Sequence, residues 1–307
     1  MLTFIIKRFL ALIPVGLGVV CIVSALIHLV PGDPADTILG PYATEQEKVQ
    51  LRHDLGLDKP FVPKLLSYYV YIAHGDLGTS LLYRKPVTEL IADRVRPTME
   101  LAFCAMVVAM TLSVPLGIIS AVNAGKPLDF AAMGFAMTGI AIPNFWLGPL
   151  LVLVFSLKLG WLPVSERGDW TTYVLPSLTL GIALSAMLSR MTRNSMLDNL
   201  KEDYVRTARA KGNKEFVVVM KHVFRNAALP LLTVIGLQFG VLLTGAIITE
   251  RIFDWPGLGS LILEGINNRD YPVVQGCVLV FSFTYLLVNL ITDLSYAVVD
   301  PRIKTGK

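Results

Sequence analysis

Charge is what this sequence has least of: 16% of its 307 residues are Asp, Glu, Lys or Arg, against 54% hydrophobic residues, whereas soluble domains carry roughly 25% charged residues. A soluble fold of this length has nowhere to hide that much apolar surface. Cysteine is nearly as scarce. Cys21, Cys104 and Cys277 all fall inside apolar blocks, where a thiol serves as a small hydrophobe, and no disulfide framework or zinc spacing is present. The histidines, His28, His53, His74 and His222, include no pair four residues apart, so two imidazoles never share one helical face and no metal site is expected. A phosphate-binding G-x-x-x-x-G-K-[ST] is missing: Gly125-Lys126 and Gly306-Lys307 lack both the upstream glycine and the following hydroxyl residue. With no HExxH, nucleophile elbow or placeable carboxylate pair either, the chain reads as non-enzymatic. The net charge of +4 is spread over connecting segments without an aromatic-interleaved basic stripe, which argues against nucleic acid as a partner.

What is present are long apolar runs. Crossing the hydrocarbon core takes about 20 residues of helix, and six runs approach or exceed that: Phe9–Gly32, Leu101–Gly125, Phe130–Leu157, Trp170–Ser189, Ala227–Thr249 and Val273–Thr292. The fold class expected is therefore an all-α membrane protein with six transmembrane helices in contact with lipid. Lys7, Arg8, Lys126, the basic residues between Arg190 and Arg225, and Arg302, Lys304 and Lys307 would share one side, while Lys158, Arg167, Arg251 and Arg269 lie in the short loops of the other. The asymmetry places both termini in the cytoplasm. The first run follows Lys7 and Arg8 as in a secretory signal, but it is too long for one and no small-x-small pattern follows it, so it is expected to remain as a span.

Two connections are too long to be simple turns. The outer segment, 31–97, contains amphipathic stretches at Ala43–Leu55 and Lys64–Ala73, breaks at Gly75-Asp76-Leu77-Gly78 and Arg84-Lys85-Pro86, and a possible surface helix over Val87–Arg96. It reads as a small folded cap. The inner loop, 190–226, uses more than thirty residues where neighbouring helices need only a few. Within it Asp203–Lys211 has an acid at its start, Arg209 and Lys211 at its end and Gly212 as terminator, followed by a second stretch over Glu215–Phe224.

The run Asp203-Tyr204-Val205-Arg206-Thr207-Ala208-Arg209-Ala210-Lys211-Gly212, continued by His222-Val223-Phe224-Arg225-Asn226-Ala227-Ala228-Leu229-Pro230, resembles the cytoplasmic coupling loop of ATP-binding-cassette importer permeases, most of all the dipeptide, oligopeptide and nickel branch. Pro31-Gly32-Asp33-Pro34, Leu55-Gly56-Leu57-Asp58-Lys59-Pro60, Ile142-Pro143-Asn144-Phe145-Trp146, Leu175-Pro176-Ser177, Trp255-Pro256-Gly257-Leu258-Gly259, Arg269-Asp270-Tyr271-Pro272 and Asp300-Pro301-Arg302 extend the likeness along the chain. It looks like the first of two permease subunits. One departure stands out: the general importer motif begins Glu-Ala-Ala where this chain has Arg206, Thr207 and Ala208, so no Glu-based contact carries over.

The resemblance implies a type I importer fold in a bacterial cytoplasmic membrane, with an N-terminal span over 1–30, the outer segment 31–97, a permease core over 98–297 and a tail over 298–307. It implies a homologous second permease, two ATPase subunits that carry ATP and magnesium, and an extracytoplasmic substrate-binding protein, with no cofactor in this chain. Tyr204, Arg206, Thr207, Ala208, Arg209, Lys211, Gly212, Arg225 and Asn226 would couple to the ATPases. Asn144, Gln238 and Thr244 would face the translocation path, and Trp255, Pro256 and Gly257 would form an outer gate. Pro143, Pro176, Gly236, Gly240 and Gly245 would allow kinks and close helix contacts. Dipeptides are the preferred cargo, with nickel chelates, glutathione, opines and oligosaccharides as alternatives. The spans lack interior ionisable groups, which weakens an ion-coupled secondary transporter as the competing class. A non-transporting scaffold is the third.

Overall fold

The computed structural model of the chain describes residues 2–29, 39, 43–54, 60–165 and 167–299. The motifs Pro31-Gly32-Asp33-Pro34, Leu55-Gly56-Leu57-Asp58-Lys59 and Asp300-Pro301-Arg302 lie outside the described residues, as does the side chain of Thr244. Two compact units emerge: Met99–Trp255 with Leu287–Lys307, and Leu2–Thr98 with Pro256–Leu286.

In the second unit α1 (Leu2–Leu29), at 28 residues, is long enough to cross a bilayer at about 1.5 Å per residue. The soluble-type patterning after it gives α2 (Glu45–Asp54) and α3 (Phe61–Ala73). Thr44 caps α2 reciprocally. Its hydroxyl accepts the Glu47 N–H at 3.3 Å and the Glu47 carboxylate accepts the Thr44 N–H at 2.8 Å, and these bonds from Thr44 hold the Glu47 carboxyl below its usual range. Tyr69 of α3 donates to the Leu17 carbonyl of α1 at 2.7 Å, so the outer segment is tied to the first helix. The stretch that follows is fastened to the Arg269-Asp270 corner: buried Asp270 accepts Ser80 Oγ at 2.5 Å and the Leu82 N–H at 3.0 Å. Tyr83 donates to Glu264 at 2.8 Å, and that bond pushes its phenol pKa up.

The expected surface helix over Val87–Arg96 and the second span prove to be one 36-residue helix, α4 (Val87–Val122). Buried Val87, Ile91, Thr98, Leu101, Ala102 and Ala105 recur at helical spacing, so a single apolar stripe runs on in phase and nothing ends the helix between them. The third expected span does not stay whole. It divides into α5 (Pro127–Ala141) and α6 (Asn144–Leu151), the latter extended by a π-helical stretch over Val152–Lys158, and the two parts are bent by 99°. Pro143 is the cause: the residue before a proline is driven out of the helical region, and Ile142 is extended at φ −101°, ψ 114°.

A single 3₁₀ turn, Trp170–Tyr173, leads into α7 (Val174–Leu200), and α8 (Asp203–Ala210) follows in the inner loop. After Glu215–Val217 and a second π stretch, Val218–Val223, come α9 (Phe224–Gly245) and α10 (Ile247–Ile252). The chain closes with α11 (Leu258–Asn267) and α12 (Tyr271–Val299). Four helical stretches, Val87–Val122, Trp170–Leu200, Glu215–Leu243 and Tyr271–Thr292, have the length and composition to cross a membrane, and the bent pair makes a fifth. With α1 they account for the six apolar runs. The first unit's core joins Leu101, Ala105, Ala109, Leu180, Leu188, Leu231, Leu243 and Trp255.

Candidate functional site

The inner loop is built around α8. Glu202 precedes it in extended conformation, Asp203 lies in its first turn and Arg209 in its last, each complementing the helix dipole. One face turns inward. Val205 (0% exposed) and Ala208 (7%) enter an apolar cluster with Ala121, Met196, Val218, Val219, Val223 and Ala227. Ala208 is therefore spent on the chain's own packing, and the surface α8 leaves to a partner consists of Asp203, Arg206, Thr207 and Ala210. Arg206 pairs with Asp203 across one turn at 3.5 Å, a contact worth little in solvent.

Gly212 ends the helix with φ +77°, a left-handed conformation that side chains resist, and its N–H donates to the Arg209 carbonyl at 2.9 Å. The space around it is open, so the backbone angle, not crowding, requires glycine. Arg209 folds the return segment back through a two-pronged pair with Glu215 at 2.7 and 3.1 Å, which pushes its pKa further up. Asn213 donates to the Ala208 carbonyl at 2.9 Å, and Tyr204 to Asn199 Oδ1 at 3.0 Å. Arg209 and Tyr204 thus hold the loop's shape, while Arg206, Lys211, Arg225 and Asn226 are exposed. Ser195 Oγ donates to the Ala227 carbonyl at 2.8 Å and joins α7 to the start of α9. Sequence reasoning passed over Phe216, which is 75% exposed beside this surface; an aromatic in an amphipathic stretch reads as core.

The path candidates are dispersed. Asn144 is half-buried at the start of α6, just past the break, and half-buried Gln238 on α9 donates to the Met187 sulfur of α7. Thr244 lies in the last turn of α9. Trp255 is 1% exposed, which removes it from the lipid interface where a tryptophan beside Pro and Gly is usually an anchor. Its ring meets Tyr173 edge-on, with centroids 4.7 Å apart at 76°. The Tyr173 hydroxyl donates to Glu100 at 2.8 Å and Arg167 closes onto the same carboxylate at 2.6 Å. Pro256 and Gly257 belong to the other unit, where Gly257 leads into α11 and Thr98 Oγ1 accepts the Leu258 N–H at 2.8 Å. Glu250, fully buried beside the expected fifth span, is a further carboxylate that the run of apolar residues concealed.

Comparison with known proteins gives matches along the whole chain. Residues 113–305 match the family model described as binding-protein-dependent transport system inner membrane component, and residues 1–102 match its N-terminal counterpart. The glutathione transport system permease protein GsiC of Escherichia coli (strain K12) is 46% identical over 304 residues, covering 99% of each chain. GsiC of Pectobacterium atrosepticum is 47% identical over the same length, again with 99% of each chain covered. Among solved structures, a chain of the inward-facing MetNI methionine ABC transporter superposes with a TM-score of 0.58 at 16% identity, covering 69% of this chain and 96% of that one. A chain of an amino acid ABC transporter with histidines gives 0.54 at 16% identity, covering 68% and 94%.

Proposed function

The chain belongs to the binding-protein-dependent transport system inner membrane components, the permeases of ABC importers in the peptide and nickel branch, and from that premise we propose that it carries small peptides across the bacterial cytoplasmic membrane. It works beside a homologous second permease, with two ATPase subunits below and an extracytoplasmic binding protein above. ATP and magnesium reside on the ATPases, and the chain is a conduit rather than an enzyme.

The observation that carries this reading is the inner loop: a short helix locked to the ends of three longer ones, with its outward face free of internal packing. Docking of that face on an ATPase turns closure of the nucleotide sites into tilting of the spans. The gate is the Trp255 region, and Asn144, Gln238 and Thr244 lie along the route. For cargo, dipeptides remain the preferred class. The full-length relatives are named for glutathione, itself a short peptide, and that name is the specific reason to hold glutathione as the second reading.

The test is uptake of labelled dialanine and labelled glutathione by the assembled complex in liposomes, with ATP inside. Gly212→Val places a β-branched residue at a left-handed angle, at a cost of about 1–2 kcal/mol, and should leave membrane insertion intact while uptake stops. Normal uptake by that variant, or uptake driven by an ion gradient without ATP, would sink the proposal; whichever peptide competes out the other identifies the cargo.

A further inference from the structure

Asp129 is a carboxylate the sequence offered no role. It is 3% exposed in the first turn of α5, and four donors converge on it. Arg193 of α7 reaches Oδ1 through Nε at 2.9 Å and Oδ2 through Nη2 at 2.7 Å. The Gly125 N–H donates to Oδ2 at 2.9 Å, and Ser120 Oγ of α4 donates to Oδ1. A carboxylate so enclosed has its lone-pair directions filled, and a forked guanidinium fixes orientation as well as distance.

What the clasp joins is informative. Ser120 stands at the end of α4, Asp129 at the start of α5, and Arg193 on α7 one turn before Met196. Met196 and Ala121 belong to the cluster that holds Val205 and Ala208 of α8, so the coupling helix, the end of α4 and the end of α7 share one core. Nothing in that cluster comes from α5. Farther along, α5 touches α7 backbone to backbone: a Cβ on Gly139 would lie 2.5 Å from the Ile182 carbonyl oxygen. Three residues beyond Gly139 comes Ile142, where the chain bends by 99° into α6.

We infer that Asp129 and Arg193 are positioning residues for transport: they make α5 move as one body with the coupling helix, so that displacement of the inner loop is delivered to the break at Ile142-Pro143 rather than absorbed at the membrane surface. The inference rests on the importer reading above. It adds the element that receives the motion, the lower half of the broken span, and the bond through which it arrives. The break, with Asn144 on its far side, is then the hinge.

The decisive experiment places spin labels at exposed Leu128 and Lys201 of the assembled complex, with Cys21, Cys104 and Cys277 replaced by alanine. Distances are read without nucleotide, with Mg-ATP and with Mg-ATP plus vanadate. One narrow distance, unmoved through the cycle, is expected with the clasp in place. Asp129→Asn should broaden it, keep ATP hydrolysis running and lower glutathione or dialanine uptake per ATP by about tenfold, within the range typical of coupling between sites. Arg193→Lys, which keeps the charge but not the fork, should fall between. A Leu128–Lys201 distance that shifts between nucleotide states in the unsubstituted chain overturns the inference even if Asp129→Asn fails to assemble. So does native uptake per ATP in Asp129→Asn. Absence of ATP-dependent uptake in the unsubstituted complex counts instead against the importer reading, and the distance still decides the clasp.

Discussion

Thr207 and Ala208 are neighbours on α8 and face opposite ways, and that difference should be measurable. Leucine at position 208 adds three heavy atoms to a cluster already closed by Met196, Val218 and Val223, and overpacking of this kind costs about 1–3 kcal/mol. Thr207→Ala, on the exposed face, should change stability by no more than about 0.5 kcal/mol. Thermal unfolding of the purified complex separates the two, and equal losses would mean that α8 is not seated as described. The sequence reading drew attention to Ala208 because small residues permit close approach, which is correct chemistry. Spacing alone does not say whether the approaching surface belongs to the same chain. Asp129 and Arg193 were illegible for a related reason. Charges flanking an apolar run look like topology signals, and their pairing across 64 residues exists only once α5 and α7 lie side by side.

At the scale of elements the apolar runs were readable because length against bilayer thickness is a one-dimensional criterion. The break in the third span was readable only as permission: Pro143 marks where a helix can stop, whereas the 99° turn is set by what α5 and α6 pack against. Gly236 was marked for a close contact, and α9 and α12 meet there, where a Cβ would fall 2.0 Å from Thr292 Oγ1. Gly236→Ala should therefore destabilise the chain by about 1–3 kcal/mol. Adding Thr292→Ala, which removes two of the three crowding atoms, should recover part of that loss. A double variant no better than the single one, by thermal unfolding, would mean that the contact is not what limits the position.

For the whole molecule, the proposed orientation has both termini in the cytoplasm. Cysteine at exposed Gly168 should then react with a membrane-impermeant maleimide from outside in whole cells, and cysteine at exposed Ala210 should react only after permeabilisation; the opposite pattern would invert the topology. The π stretch at Val218–Val223, which hands the inner loop to α9, has a consequence of another kind. A π turn holds more residues than an α turn, so it sets the phase at which the following helix begins. Deleting one residue there would restore α geometry and rotate all of α9 by about 100°, turning Gln238 away from Met187 and Gly236 away from Thr292 without altering a single side chain on α9. In the Leu159–Asp169 loop a one-residue deletion has no phase to disturb. The chain's tolerance of insertions and deletions is accordingly written in its helical register, and two loops of equal exposure will differ in it.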